Sequence, residues 1–171
     1  MGSHAYGSGD IPFVRTSDLN NHEISADPTN SVSEEIYEQF RPQQNLKPGD
    51  ILMVVDGRYR IGATAILSEN NYRCIVQSHF KILSLKRPDC LSSFELLYAL
   101  NLPSVRVRIR DLVFVQSTLG TLGRRLLELE VPILHGIGPW RERVDSFEAV
   151  LKKRDALLAM IKEMAGPEVE L

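Results

Sequence analysis

Gly49-Asp50-Ile51-Leu52-Met53-Val54-Val55-Asp56-Gly57-Arg58-Tyr59-Arg60-Ile61-Gly62 is the stretch whose reading decides the fold. Lys47-Pro48-Gly49-Asp50 is a turn, and the five apolar residues after it have the length of a buried strand. Asp56-Gly57 supplies a hairpin turn, so Ile61 to Leu67 is expected to return as a second strand. Forward of this hairpin, Cys74 to Leu85 is rich in β-branched and apolar residues and reads as a third strand. Ser92 or Ser93 then caps a helix carrying Phe94, Leu97 and Leu100, which Pro103 stops. Val105, Val107 and Ile109 alternate with Arg106, Arg108 and Arg110, the pattern of a half-buried strand, and Leu126 to Ile133 reads as a last strand. Backward of the hairpin, Ser33 caps a short helix through Phe40 with Pro42 beyond its end. Residues 16–31 form a polar loop broken by Asp27-Pro28, and Ile11-Pro12-Phe13-Val14 is a short strand whose proline demands an edge or a first position.

With 171 residues, 43% of them hydrophobic, the chain can bury roughly 70% of its unfolded surface, so neither a disulfide nor a structural metal is required. Long uninterrupted apolar runs are absent, which excludes a membrane-spanning helix, and Met1 to Gly9 has no leader pattern, so a cytoplasmic location is expected. Cys74 and Cys90 fit no metal or redox spacing and are expected to be reduced thiols. The net charge of −2 conceals an uneven distribution: residues 1–50 carry 3 basic and 8 acidic side chains, residues 51–125 carry 11 and 5, and residues 126–171 carry 6 and 9. A basic island between acidic ends suits a surface that faces phosphates, and it equally suits a solvated basic face. Charge alone leaves both open.

Pro139 to Ala165 is a separate object. Trp140, Val144, Phe147 and Leu151 step by four, three and four, and after Arg154 the stripe resumes at Leu158, Ile161 and Ala165. Some 27 residues at about 1.5 Å each make a helix of roughly 40 Å, stopped by Gly166-Pro167. Such a helix either lies back on its own domain or forms a coiled-coil seam that seeks another helix.

Catalytic signatures are missing. Gly7-Ser8-Gly9 follows no strand and lacks the third glycine of a dinucleotide site, and there is no GxxxxGK[ST] loop. His4, His22, His79 and His135 have no mutual metal spacing, so neither a metal nor a cofactor is expected. Asp89 and Glu95 are a weak candidate for a metal-dependent nuclease pair, without the lysine that would complete it.

If the basic island faces DNA rather than solvent, particular residues suit the contact. Asp56-Gly57-Arg58-Tyr59-Arg60 puts two guanidinium groups and a ring at a hairpin tip, where Arg58 and Arg60 can pair with guanine or hold phosphate and Tyr59 can pack on sugar or base. The alternative is a solvated turn with Arg58 paired to Asp56. Arg15, Thr16 and Ser17 leave a strand into a polar loop and can donate to phosphates, while Gln77 and His79 offer polar groups to base edges from the third strand. Gln116, Thr118, Arg124 and Arg125 complete the set.

Gly9 to Leu19, followed by Gly49 to Gly62, Gln77-Ser78-His79 with Lys81-Ile82, Glu95 to Leu102, Gln116 to Gly123 and Leu129 to Ile133, resembles in order and spacing the target recognition domain of the DNA specificity subunit of type I restriction-modification systems. The resemblance spans roughly residues 6–134, and the long helix sits where that family places a coiled-coil segment. It implies an α+β fold: a mixed, strongly twisted β-sheet recognition domain with short helices over residues 1–135, then a linker and long coiled-coil helix over 136–171. It also implies that a helix replaces the strand expected over 104–111. Such a subunit carries two recognition domains and two coiled-coil segments, so one of each resembles a half-subunit, a fragment, or the C-terminal part of a fused methyltransferase-specificity polypeptide. The implied partners are double-stranded DNA, a DNA adenine methyltransferase subunit and a restriction subunit, which hold the chemistry this chain lacks. Trp140, Val144, Phe147, Leu151, Leu158 and Ile161 would pair with a second helix, here that of another copy. The rival reading is a protein-protein assembly module that does not bind DNA.

Overall fold

The computed structural model describes residues 7, 9–57, 60–114, 121–134 and 136–165, in two units, Met1–Ile133 and Leu134–Leu171. At the centre of the first unit lies β4 (Ile51–Val54), antiparallel to both β5 (Thr64–Ile66) and β7 (Phe80–Leu83) in the order β5-β4-β7. Leu52 sits opposite Ala65 and Ile82, and Met53 opposite Thr64 and Lys81. Every side chain of β4 is fully buried. Because successive side chains point to opposite faces, this requires cover on both, which is why the run shows no polar alternation. Leu52 and Val54 join Val14, Leu19, Ala65, Leu67, Cys74, Val76 and Phe80 on one face, while Met53 and Val55 join Val105, Ile109, Val113 and Leu122 on the other. Cys74 is a free thiol whose burial pushes its pKa up to about 12, whereas Cys90 is free and exposed.

Two smaller, two-stranded sheets accompany this one, so the unit is a mixture of small sheets and helices. Phe13–Val14 (β1) pairs in parallel with Ile75–Val76 (β6), and Phe13 and Ile75 share a cluster with Ile11, Val32 and Tyr37 of the helix α1 (Glu34–Gln44). Ser33 caps α1 by accepting from the Ile36 amide at 3.4 Å. Pro42 lies inside α1 rather than past its end. The helix outlasts it because the Gln44 side chain is fastened to Val76 in both directions, donating to the carbonyl at 2.7 Å and accepting from the amide at 3.0 Å. β2 (Leu19–Asn20) and β3 (Glu23–Ile24) make a hairpin whose two loop residues, Asn21 and His22, both have left-handed backbone, as a two-residue turn of matching twist requires.

The chain expected to be the third strand, 74–85, is two strands, β6 and β7, interrupted by a turn at Gln77–His79 in which the Phe80 amide donates to the Gln77 carbonyl. Ser92 caps α2 (Ser93–Leu100), and Asn101 ties its end to β5 through a 2.8 Å bond to Thr64 Oγ1. α2 ends short of Pro103, and Pro103 in turn opens α3 (Pro103–Phe114), which replaces the strand expected at 104–111. Val105, Ile109 and Val113 are buried at steps of four while Val107 is 46% exposed, so the helical stripe, not the alternation, meets the sheet. The last expected strand is likewise absent: Gly123–Glu128 is a 3₁₀ segment, and Leu129 and Val131 pack on the α3 side of the core from irregular chain. The second unit is a single helix, α4 (Gly138–Ala165). Among the described residues no helix is long and apolar enough to cross a membrane.

Candidate nucleic-acid interface

Val55, just past the end of β4, joins three segments that are far apart in sequence. Its amide donates to the His79 carbonyl at 2.9 Å, and its carbonyl accepts from the Leu122 amide at 2.6 Å. Beyond it, Asp56 forms an isolated bridge with Thr121 and lies 3.5 Å from His79 Nδ1. The hairpin tip, the Gln77–His79 turn and the chain leading to Arg124 and Arg125 therefore meet at one end of the three-stranded sheet. As Gln77 and His79 lie in a turn, strand alternation does not direct them; both are half-buried and Ser78 is exposed.

Arg60 brings in a fourth segment. Its backbone is left-handed (φ 69°), and its guanidinium donates to the Ser17 carbonyl at 2.9 Å, to the Leu19 carbonyl, and to Asn20 Oδ1 at 3.1 Å. The Thr16–Asp18 3₁₀ turn is thereby held beside the hairpin. Within that turn Thr16 is half-buried and Ser17 exposed, the Ser17 hydroxyl donating to Asp18 at 2.9 Å. Arg15 reaches Asp27 at 3.3 Å and Asp18 at 3.9 Å. The Asp27 carboxyl is held below its ordinary pKa, first by the Thr29 hydroxyl and amide, with Arg15 adding to the effect.

On the other side of the tip, Arg106 of α3 donates to the Gly62 carbonyl, while the Gly62 amide donates to Val54 at 2.8 Å. Burial lowers the Arg106 pKa from its ordinary value. Gly62 has φ +84°, and a Cβ there would stand 2.8 Å from Ile109 Cγ2, so glycine is required twice over. Arg125 donates to the Leu112 carbonyl at 2.6 Å and pairs with Glu128, and Arg108 pairs with Glu130 at 3.0 Å. Much of the basic island is thus engaged inside the chain. Arg124 is exposed, as are Lys81, quoted above only for the resemblance, and Lys86 and Arg87, two cations not singled out in the sequence because nothing local distinguishes them; none of the four has an ion pair among the described residues. Arg58, Tyr59, Gln116 and Thr118 lie outside the described residues.

Trp140, Val144, Phe147, Leu151, Leu158 and Ile161 all fall on α4. Trp140, Val144 and Leu151 are buried and Phe147 is half-buried, so the expected stripe is not free along its whole length; Leu158 and Ile161 are about half exposed, and Val150, Leu157, Met160 and Met164 are exposed with them. Among the described residues no three His, Cys, Asp or Glu side chains gather as a metal site; Asp89 is exposed, and Glu95 stands in the first turn of α2.

No protein-family model and no curated protein matches the chain. A solved structure is similar in fold: a chain from work on the structural basis of complex assembly and conformational transition of the type I R-M system, with a TM-score of 0.53 and 19% identity. The match covers 96% of this chain and 37% of that one, so this chain spans little more than a third of its neighbour's length and shares its fold over that span.

Proposed function

We propose that the chain is a noncatalytic domain that recognises double-stranded DNA as part of the specificity component of a type I restriction-modification system, in the cytoplasm. The observation that carries this reading is the fold likeness, which runs through nearly the whole chain and not one motif. Two features support it. One is the meeting, at Val55 and Asp56, of the β4–β5 hairpin with the 77–79 turn and with Thr121 and Leu122, which lie just before Arg124 and Arg125 in sequence. The other is the exposed apolar row on α4, which is costly in water and calls for a second helix. Methyl transfer to adenine and cleavage then belong to modification and restriction subunits, and this chain places them on their site.

Binding to mixed-sequence duplex DNA, measured between about 50 and 200 mM salt, tests the reading. Several phosphate contacts should lower affinity by orders of magnitude across that range, with a slope near 0.9 per contact. Binding that is absent or independent of salt, even with a modification subunit supplied, would leave the protein-protein assembly module as the function. Sedimentation tests the arm: a concentration-dependent dimer weakened by Leu158→Asp or Ile161→Asp, two members of the exposed row, is expected, and a strict monomer at high concentration counts against a self-paired helix.

A further inference from the structure

We infer that Arg60 is a positioning residue, which locks the Thr16–Asn20 segment to the described part of the β4–β5 hairpin so that the two present one preset surface to duplex DNA. This rests on the nucleic-acid reading above and adds to it a division of labour among its arginines. Three observations carry it. First, the guanidinium is already committed: it serves two main-chain carbonyls and one side-chain oxygen, at Ser17, Leu19 and Asn20. Turning it toward a phosphate would leave those acceptors to water, so the exchange gains little. Second, its anchor is fixed from behind. The Arg60 carbonyl accepts from the Ala63 amide at 2.8 Å, and the Gly62 carbonyl two residues on is held by Arg106 of α3. Third, the segment it holds has little regular structure of its own. It consists of a three-residue 3₁₀ turn and a two-residue strand, and among the described residues the strand is paired only with the equally short β3. A segment so short stays in place through ties to a stiffer body: the Leu19 side chain is packed in the core, and Arg60 fastens the surrounding main chain, from Ser17 to Asn20, to the hairpin.

The planar fork matters here. Lysine keeps the charge and can still hold a phosphate as a point charge, but it cannot span three acceptors in fixed directions. The two roles therefore separate on Arg60→Lys. Each protein (unsubstituted, R60A and R60K) is measured for hydrogen exchange at the amides of residues 16–20 without DNA, for affinity to a mixed-sequence duplex across salt concentrations, and for thermal unfolding.

The expected result is faster exchange at residues 16–20 in both variants, at temperatures well below unfolding. Both should also lose about tenfold in affinity, with R60K no better than R60A. Binding should restore slow exchange, because a surface populated only part of the time binds more weakly in proportion. If R60K binds like the unsubstituted chain while R60A loses about 0.9 in salt slope, Arg60 holds a phosphate itself and the inference is overturned. Faster exchange with unchanged affinity removes the 16–20 segment from the interface and overturns it too. If the unsubstituted chain binds no duplex at any salt, the functional reading fails and this inference with it; if that chain binds and both variants match it, only this inference fails. Should R60A not fold, R60K alone decides between the two roles.

Discussion

Ile51-Leu52-Met53-Val54 and Val105-Arg106-Val107-Arg108-Ile109 are the two stretches of the first unit that look most like strands, and only the first is one. The unbroken apolar run is buried on both faces, whereas the alternating run, with the better amphipathic strand pattern, is helical. The difference lies in what each stretch has to cover. β4 is wrapped by two strands and two apolar clusters, so every position counts. α3 has one face to present to Met53 and Val55, and Val105, Ile109 and Val113 are the positions a helix can deliver there. An alternating run contains a step of four as surely as a step of two, and the neighbouring surface selects between them.

Single substitutions can break this comparison, and the largest effect is expected at Val105. Fully buried on α3, it should lose more than about 4 kcal/mol on Val105→Asp in denaturant unfolding, because an unpaired charge enters the core. Leu52→Ala should cost about 2–5 kcal/mol by the same measurement, the range for truncating a large, fully buried aliphatic side chain. Next comes Gly62→Ala, which forces a Cβ against Ile109 in a left-handed backbone and should cost about 1–3 kcal/mol, seen as a lower melting temperature. Arg106→Ala removes the donor to the Gly62 carbonyl and should cost about 1–2 kcal/mol, little of it recovered by lysine. Val107→Asp is the sharpest of all despite the smallest change, within about 0.5 kcal/mol. In a strand Val107 and Val105 would share a face and suffer alike; equal losses at the two positions would refute the helix.

The contrast also marks what sequence can convey. The 47–57 stretch was legible because its strand lies between turn residues and is apolar throughout, and both caps, Ser33 and Ser92, were legible because the bond each makes is local. α3 was not legible in its own residues, only through the family resemblance, since its period is set by a sheet formed some fifty residues earlier. Nor was the break at 77–79, because Gln77-Ser78-His79 carries no glycine or proline to announce a turn. Leu126 to Ile133 has strand-like composition, yet it lies against the α3 side of the core with no strand beside it among the described residues. For the candidate site, the polar and basic residues could be named in advance, but the uses of three arginines could not. Arg60, Arg106 and Arg125 donate to carbonyls that lie 41 or 43, 44 and 13 residues away. A guanidinium in a sequence says that it will find acceptors, not where they are.

The parallel pairing of Phe13–Val14 with Ile75–Val76 also governs how fast the chain can reach its native state. It closes a loop of about sixty residues, and the ordering entropy of such a closure must be met before the pairing returns anything. The hairpin between β4 and β5 and the helices α1 to α3 involve only near neighbours and can form within microseconds. β1 is then the late arrival, docking on an assembled centre, and mutations at Phe13 or Val14 should speed unfolding far more than they slow folding. During synthesis Phe13 and Val14 wait without their strand partners until Ile75 and Val76 have left the ribosome.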